Sequence, residues 1–124
     1  MSLVITSTKN ASTPSGEYII LHATTALNLK NYAVVDRTFN ADGSVSNEHR
    51  HIFFFPAKEL KKDEWVVLYS GTGTNGTPGK FSNTGDTYYA YYWQSGSCIW
   101  NNDGRDSASV INYTPGNSMK VAAV

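Results

Sequence analysis

The chain has 124 residues, of which 40% are hydrophobic, 16% charged and 13% aromatic, and its ten acidic residues balance ten basic ones. That length describes one domain, 1–124, with room for a core that needs no metal or disulfide. The charge balance leaves the counterion-releasing attraction behind most nucleic-acid binding without a source. Gly, Ser, Thr, Asn and Tyr are abundant where a helical chain would show Ala, Glu, Lys and Leu, so the expected class is all-β. Cys98 is the single cysteine and cannot form an intrachain disulfide. No apolar run approaches the roughly 18 residues of a membrane span, and no basic segment followed by an apolar stretch opens the chain, which reads as soluble.

In chain order, Val4 to Ser7 reads as an edge strand closed by the polar run Thr8 to Gly16. Glu17 to Ala23 (EYIILHA) is an apolar run of strand length, expected to be central and buried. His22 within it reads as a hydrogen-bonded structural histidine. Tyr32 to Asp36 is the next strand, and Asn40-Ala41-Asp42-Gly43 a loop tip. In HRHIFFFP, period-two alternation puts His49, His51, Phe53 and Phe55 on one face, and Pro56 ends the strand.

Ala57 to Asp63 reads as a polar connection with one turn of helix, its Lys58, Lys61 and Lys62 interleaved with Glu59, Asp63 and Glu64 as a solvated face. Glu64 to Ser70 is a near-continuous apolar strand, and Gly71 to Asp86 an irregular surface loop. Tyr88 to Asn112 (YYAYYWQSGSCIWNNDGRDSASVIN) holds the densest aromatic and turn chemistry. A short strand is expected between Trp93 and Trp100, with Cys98 buried in it as a small hydrophobe. A turn at Asn101 to Gly104 leads to a returning strand to Asn112. Thr114-Pro115-Gly116-Asn117 suits a type II turn, and Met119 to Val124 a final strand. The total is seven to eight short strands, the pattern of an immunoglobulin-like β-sandwich.

Candidate chemistry is sparse. Gly71-Thr72-Gly73-Thr74-Asn75-Gly76 matches the dinucleotide fingerprint G-x-G-x-x-G, but Thr77-Pro78-Gly79 follows where a helix would have to open. Gly79-Lys80 resembles the end of a phosphate-binding loop, but Phe81 replaces the hydroxyl that would hold magnesium. His49 and His51, near Asp42 and Glu48, invite a metal reading, for which a partly exposed structural role is the simpler account. Asn101, Asn102, Asp103 and Asp106 offer oxygen ligands, yet Ile99 stands at the first position of a calcium loop, and turn-holding hydrogen bonds explain them as well. No G-x-S-x-G elbow occurs and nothing singles out a carboxylate pair, so neither a catalytic residue, a metal ligand nor a cofactor is assigned. Tyr88, Tyr89, Tyr91, Tyr92 and Trp93 form the best candidate contact surface. Alternation must split them between two faces, and Tyr89, Tyr91 and Trp93 are taken as the contact set.

Several segments resemble the lamin tail domain family, an immunoglobulin-like sandwich known from nuclear lamins and from bacterial exported proteins. GEYIILHATTALNLKNYAVVD resembles the family's opening, HIFFFP its aromatic strand ending in proline, and LKKDEWVVLYSGTG the strand that follows. IWNNDGRDSASVIN resembles the Trp-Asn-Asn-x-Gly-Asp signature of bacterial members, carried by Trp100, Asn101, Asn102, Gly104 and Asp106 with Arg105 intervening. The resemblance spans 16–112. It implies a non-catalytic module for attachment, scaffolding or protein contacts, in an exported or cell-surface setting. A carbohydrate- or calcium-dependent binding module is the alternative, and a metal-dependent hydrolase a remoter one.

Overall fold

The structure is a computed structural model, and it describes residues 1–39, 42, 44–100 and 106–124, the side chains of 37–39, 45–50 and 106 excepted. The fold is an all-β sandwich. Its strands are β1 (Leu3–Lys9), β2 (Tyr18–Ala23), β3 (Leu27–Asn28), β4 (Tyr32–Phe39), β5 (Val45–Phe54), β6 (Glu59–Leu60), β7 (Trp65–Tyr69), β8 (Thr77–Lys80), β9 (Thr87–Tyr92) and β10 (Asp106–Asn112).

One sheet has the order β1-β2-β7-β9-β8 and the other β10-β4-β5, while β3 and β6 form a two-stranded ladder. All ladders are antiparallel except β7 with β9, which run parallel. Between the sheets, Leu3, Ile19, Leu21, Ala23, Val66, Leu68 and Tyr91 meet Tyr32, Val34 and Phe55, with Leu29 and Leu60 completing the core. In β2 the alternation is strict: Ile19, Leu21 and Ala23 are buried, and Tyr18, Ile20 and His22 are half-buried on the other face. Each large aliphatic side chain in this core contributes about 1.5–3 kcal/mol through burial.

The first strand is an edge strand, and β2 and β7 lie inside the larger sheet, as the apolar runs suggest. Several elements differ from expectation. The segment between Trp93 and Trp100 forms bends rather than a strand. Its hydrogen bonds run instead to the end of β7 and the following glycine: Trp93 N–H to the Tyr69 carbonyl (2.8 Å), Gln94 N–H to Gly71 (2.9 Å) and Ser95 N–H to Ser70 (2.9 Å).

Residues 57–63 contain the short strand β6 rather than a helical turn, because Leu60 is drawn into the core opposite Leu27. The 71–86 loop contains β8, an edge strand that carries no hydrophobic alternation for a sequence reading to detect. Met119 to Val124 forms no strand and Thr114 to Asn117 no turn. The last ladder contact is Asn112 with Tyr32, and the chain beyond Tyr113 is exposed, with Pro115 lacking the donor that a continuing ladder needs.

The alternation assumed across HRHIFFFP is interrupted. The β4–β5 pairing passes from Val35 opposite Ile52 to Arg37 opposite His49, a register shift that a bulge produces. The His49 side chain lies outside the described residues, as do Asn101, Asn102, Asp103 and Gly104 of the proposed signature and turn. Asp106 opens β10 opposite Thr38, and its side chain is likewise outside the description.

Candidate binding face

The aromatic strand β9 divides its rings between two sides, in the opposite phase to the contact set expected from sequence. Tyr91 is only 2% exposed and lies in the core, edge-on to Phe53 and Phe55. Tyr89 packs against the core, its hydroxyl directed to Glu64 Oε2 at 3.4 Å and its ring beneath Lys58 Nζ at 4.4 Å. Trp93 also packs against the core, against Phe53 and edge-on to Trp100. The three residues taken as the contact set are therefore inward-facing. With tyrosines at both parities of TYYAYYW, the strand has no polar face to reveal its orientation.

Tyr88 and Tyr92 take the outer face, where cross-strand pairing assembles three rows. His22, Trp65 and Tyr88 form one row across β2, β7 and β9, and Tyr18, Tyr69 and Tyr92 form another. Between them lies Ile20, Val67 and Ala90, an aliphatic row. Rows two residues apart along a strand are separated by about 7 Å. The outer face is thus a shallow valley with an aliphatic floor and aromatic walls.

The walls are stacked. His22 lies on Trp65 with centroids 4.3 Å apart, and Tyr69 on Tyr92 at 5.3 Å and 15°. Tyr18 meets Tyr69 edge-on, and Phe81, beyond the end of β8, touches both Trp65 (5.9 Å) and Tyr88 (4.8 Å). Burial, then the neighbouring phenols of Tyr88, Tyr92 and Tyr18, raise the Tyr69 hydroxyl above the usual tyrosine range.

Glycines from the two apparent phosphate-binding motifs serve this face. A Cβ on Gly73 would stand 2.5 Å from the Tyr92 ring, and one on Gly79 would stand 2.4 Å from Tyr88 Cζ. Both tyrosines lie across bare backbone, which only glycine permits. Gly76 has φ +83°, a turn conformation that glycine adopts without strain. The G-x-G-x-x-G pattern here is ring packing and turn geometry.

Phe81 and Ile20 divide the valley into two adjoining grooves of about 220 and 250 Å³. One is bounded by Thr6, Ser7, Asn83, Thr84 and Asp86, the other by Lys80, Ser82, Tyr18 and Tyr69. The Phe81–Asp86 loop that forms this rim is closed by Phe81 N–H to the Asp86 carbonyl (3.0 Å) and Gly85 N–H to the Phe81 carbonyl (2.8 Å).

Three groups with chemical potential lie elsewhere. Glu17 is fully buried; its Oε1 accepts from Ser70 Oγ (2.5 Å), Ile99 N–H (2.7 Å) and Trp100 N–H (3.3 Å), so it pins the 95–100 segment to β2 and β7. Nothing in the sequence marks that role, since Glu17 reads only as the first residue of an apolar strand. Cys98 donates to the Ala11 carbonyl at 3.4 Å, and burial, then Glu17, pushes its thiol up, away from the thiolate a nucleophile needs.

His51 Nδ1 is 2.9 Å from Asp36 Oδ2, with the carboxylate buried and the imidazole 42% exposed beside Trp93. An acid–histidine pair is half of a catalytic triad, but among the described residues no hydroxyl or thiol bonds the other imidazole nitrogen. His22, hydrogen-bonded to Asp63 at 2.9 Å and stacked on Trp65, is structural. No three His, Cys, Asp or Glu side chains gather as a metal site among the described residues, nor is any described helix long and apolar enough to cross a membrane. Compared with protein-family models, curated proteins and solved structures, the chain finds no match.

Proposed function

We propose that the domain is a non-catalytic binding module and that its contact surface is the outer face of the five-stranded sheet. The observation that carries this reading is the pair of aromatic rows facing each other across the Ile20–Val67–Ala90 floor. A sandwich needs only one apolar face per sheet, so six half-buried aromatic rings on the second face demand a role other than core formation. Rigid Tyr and Trp side chains provide large contact area at small entropic cost. The resemblance to lamin tail domains, with its attachment and scaffolding uses in exported or cell-surface proteins, agrees with such a module.

An array bearing peptides and glycans side by side tests the reading, probed with the labelled domain, with Tyr18→Ser/Tyr88→Ala and with Phe54→Ser on the other sheet. Retention of the parent and of Phe54→Ser, with loss in the double variant, is the expected outcome. Equal retention of all three proteins, or none of any, refutes it.

A further inference from the structure

Resting on that reading, we infer that the valley takes a neutral oligosaccharide, lying across the strands with one pyranose ring in each groove. Shape comes first. Each groove is smaller than the roughly 300–1,000 Å³ that encloses a drug-sized ligand, but the two adjoin through Ile20 and Phe81. An occupant with two similar units joined in line fits this division better than one compact molecule.

Chemistry narrows the class. The apolar face of a pyranose packs on aromatic rings, and here Trp65, Phe81 and Tyr88 border the floor. The rim of the first groove adds the Asp86 carboxylate, the Asn83 amide and the Thr84 hydroxyl, which together accept and donate hydrogen bonds. Sugar hydroxyls do both. A carboxylate also accepts from two neighbouring hydroxyls at once, and charge-assisted bonds are the stronger kind.

The same features disfavour the other ligand of aromatic grooves, a proline-rich peptide. Such a peptide presents carbonyl acceptors and no N–H at its prolines, so it would leave the Asp86 carboxylate on the rim without a donor. With Asp86 on one rim and Lys80 on the other, the valley also lacks the positive field that would draw a phosphate or sulfate chain.

The test is calorimetric titration of the intact domain with cellohexaose, xylohexaose, mannohexaose and maltohexaose, and separately with a decaproline peptide. At least one hexasaccharide should bind with Kd below about 1 mM. Asp86→Ala and Tyr88→Ala should each weaken it by about tenfold or more, while Phe54→Ser leaves it unchanged. Asp86 is exposed, so its variant keeps the fold, which circular dichroism verifies. If no hexasaccharide binds, or if binding ignores both variants, the inference falls. Decaproline binding that is lost in Tyr88→Ala overturns the sugar assignment while leaving the binding face standing. Silence from sugars, peptide and array together removes both.

Discussion

Oε1 of Glu17 accepts the backbone N–H of Ile99 at 2.7 Å, an oxygen at the head of β2 holding a segment 82 positions away in the chain. The same oxygen takes the Ser70 hydroxyl, so one buried carboxylate ties the 95–100 segment, which belongs to no ladder, to the paired ends of β2 and β7. Glu17→Ala leaves the Ile99 N–H and the Ser70 hydroxyl without their acceptor, at roughly 1–3 kcal/mol each. Urea denaturation should show a loss of at least about 2 kcal/mol, with Glu17→Gln losing less because it keeps one oxygen. A midpoint unchanged in Glu17→Ala would show that the 95–100 segment is held by other contacts.

Gly79 and Tyr88 supply a sign-changing pair. Gly79→Ala alone collides with the Tyr88 ring, which must move at a cost of about 1–3 kcal/mol. In a Tyr88→Ala background that obstacle is gone, and the added methyl should stabilise the fold by about 0.4–1 kcal/mol through the unfolded chain. A double-mutant cycle measures the coupling. Additive effects would mean that the ring does not lie over the glycine.

The alkaline limb of the stability curve should be steep. Burial raises the hydroxyls of Tyr69 and Tyr91, so the folded state holds these protons beyond the pH at which the unfolded chain releases them. Their stabilising contribution is complete below about pH 10 and is lost as pH rises through the folded-state values. Denaturant midpoints should fall above that pH, with phenolate absorbance appearing alongside unfolding. Tyr91→Phe should lessen the fall; an identical limb would place its cause elsewhere.

Cys98 should be slow to alkylate. Burial raises its thiol, and Glu17 opposes the thiolate. At about pH 8, iodoacetamide should label the native protein far more slowly than the urea-unfolded chain. Equal rates would indicate an open, reactive thiol.

Residues 114–124 form no strand and are exposed throughout. Truncation after Tyr113, which keeps the Tyr113 ring against Phe54, should change stability by no more than about 0.5 kcal/mol. A larger loss in thermal unfolding would reveal a docked tail.

The fold was readable where an apolar run of strand length is bounded by turn residues. Glu17 to Ala23 exposes β2 in this way, and Glu64 to Ser70 exposes β7. The binding face was not. Its rings are drawn from four separate segments, and TYYAYYW has tyrosines at both parities, so Tyr88 and Tyr92 cannot be told from Tyr89 and Tyr91 without a partner strand. Gly73 and Gly79 were visible as a motif but not as seats for rings, because the rings come from a strand eight or more residues later. β8 escaped notice for want of any apolar repeat, and Glu17 because its partners lie 53 and 82 residues away.

The strand β10 pairs with β4 along its whole length, from Asp106 opposite Thr38 to Asn112 opposite Tyr32. Until residue 112 has left the ribosome, β4 and β5 are a lone two-stranded ribbon, an arrangement of marginal stability in water. The second layer of the sandwich is therefore complete only once β10 has been made, and its completion is a pairing of strands distant in the chain, the slow kind.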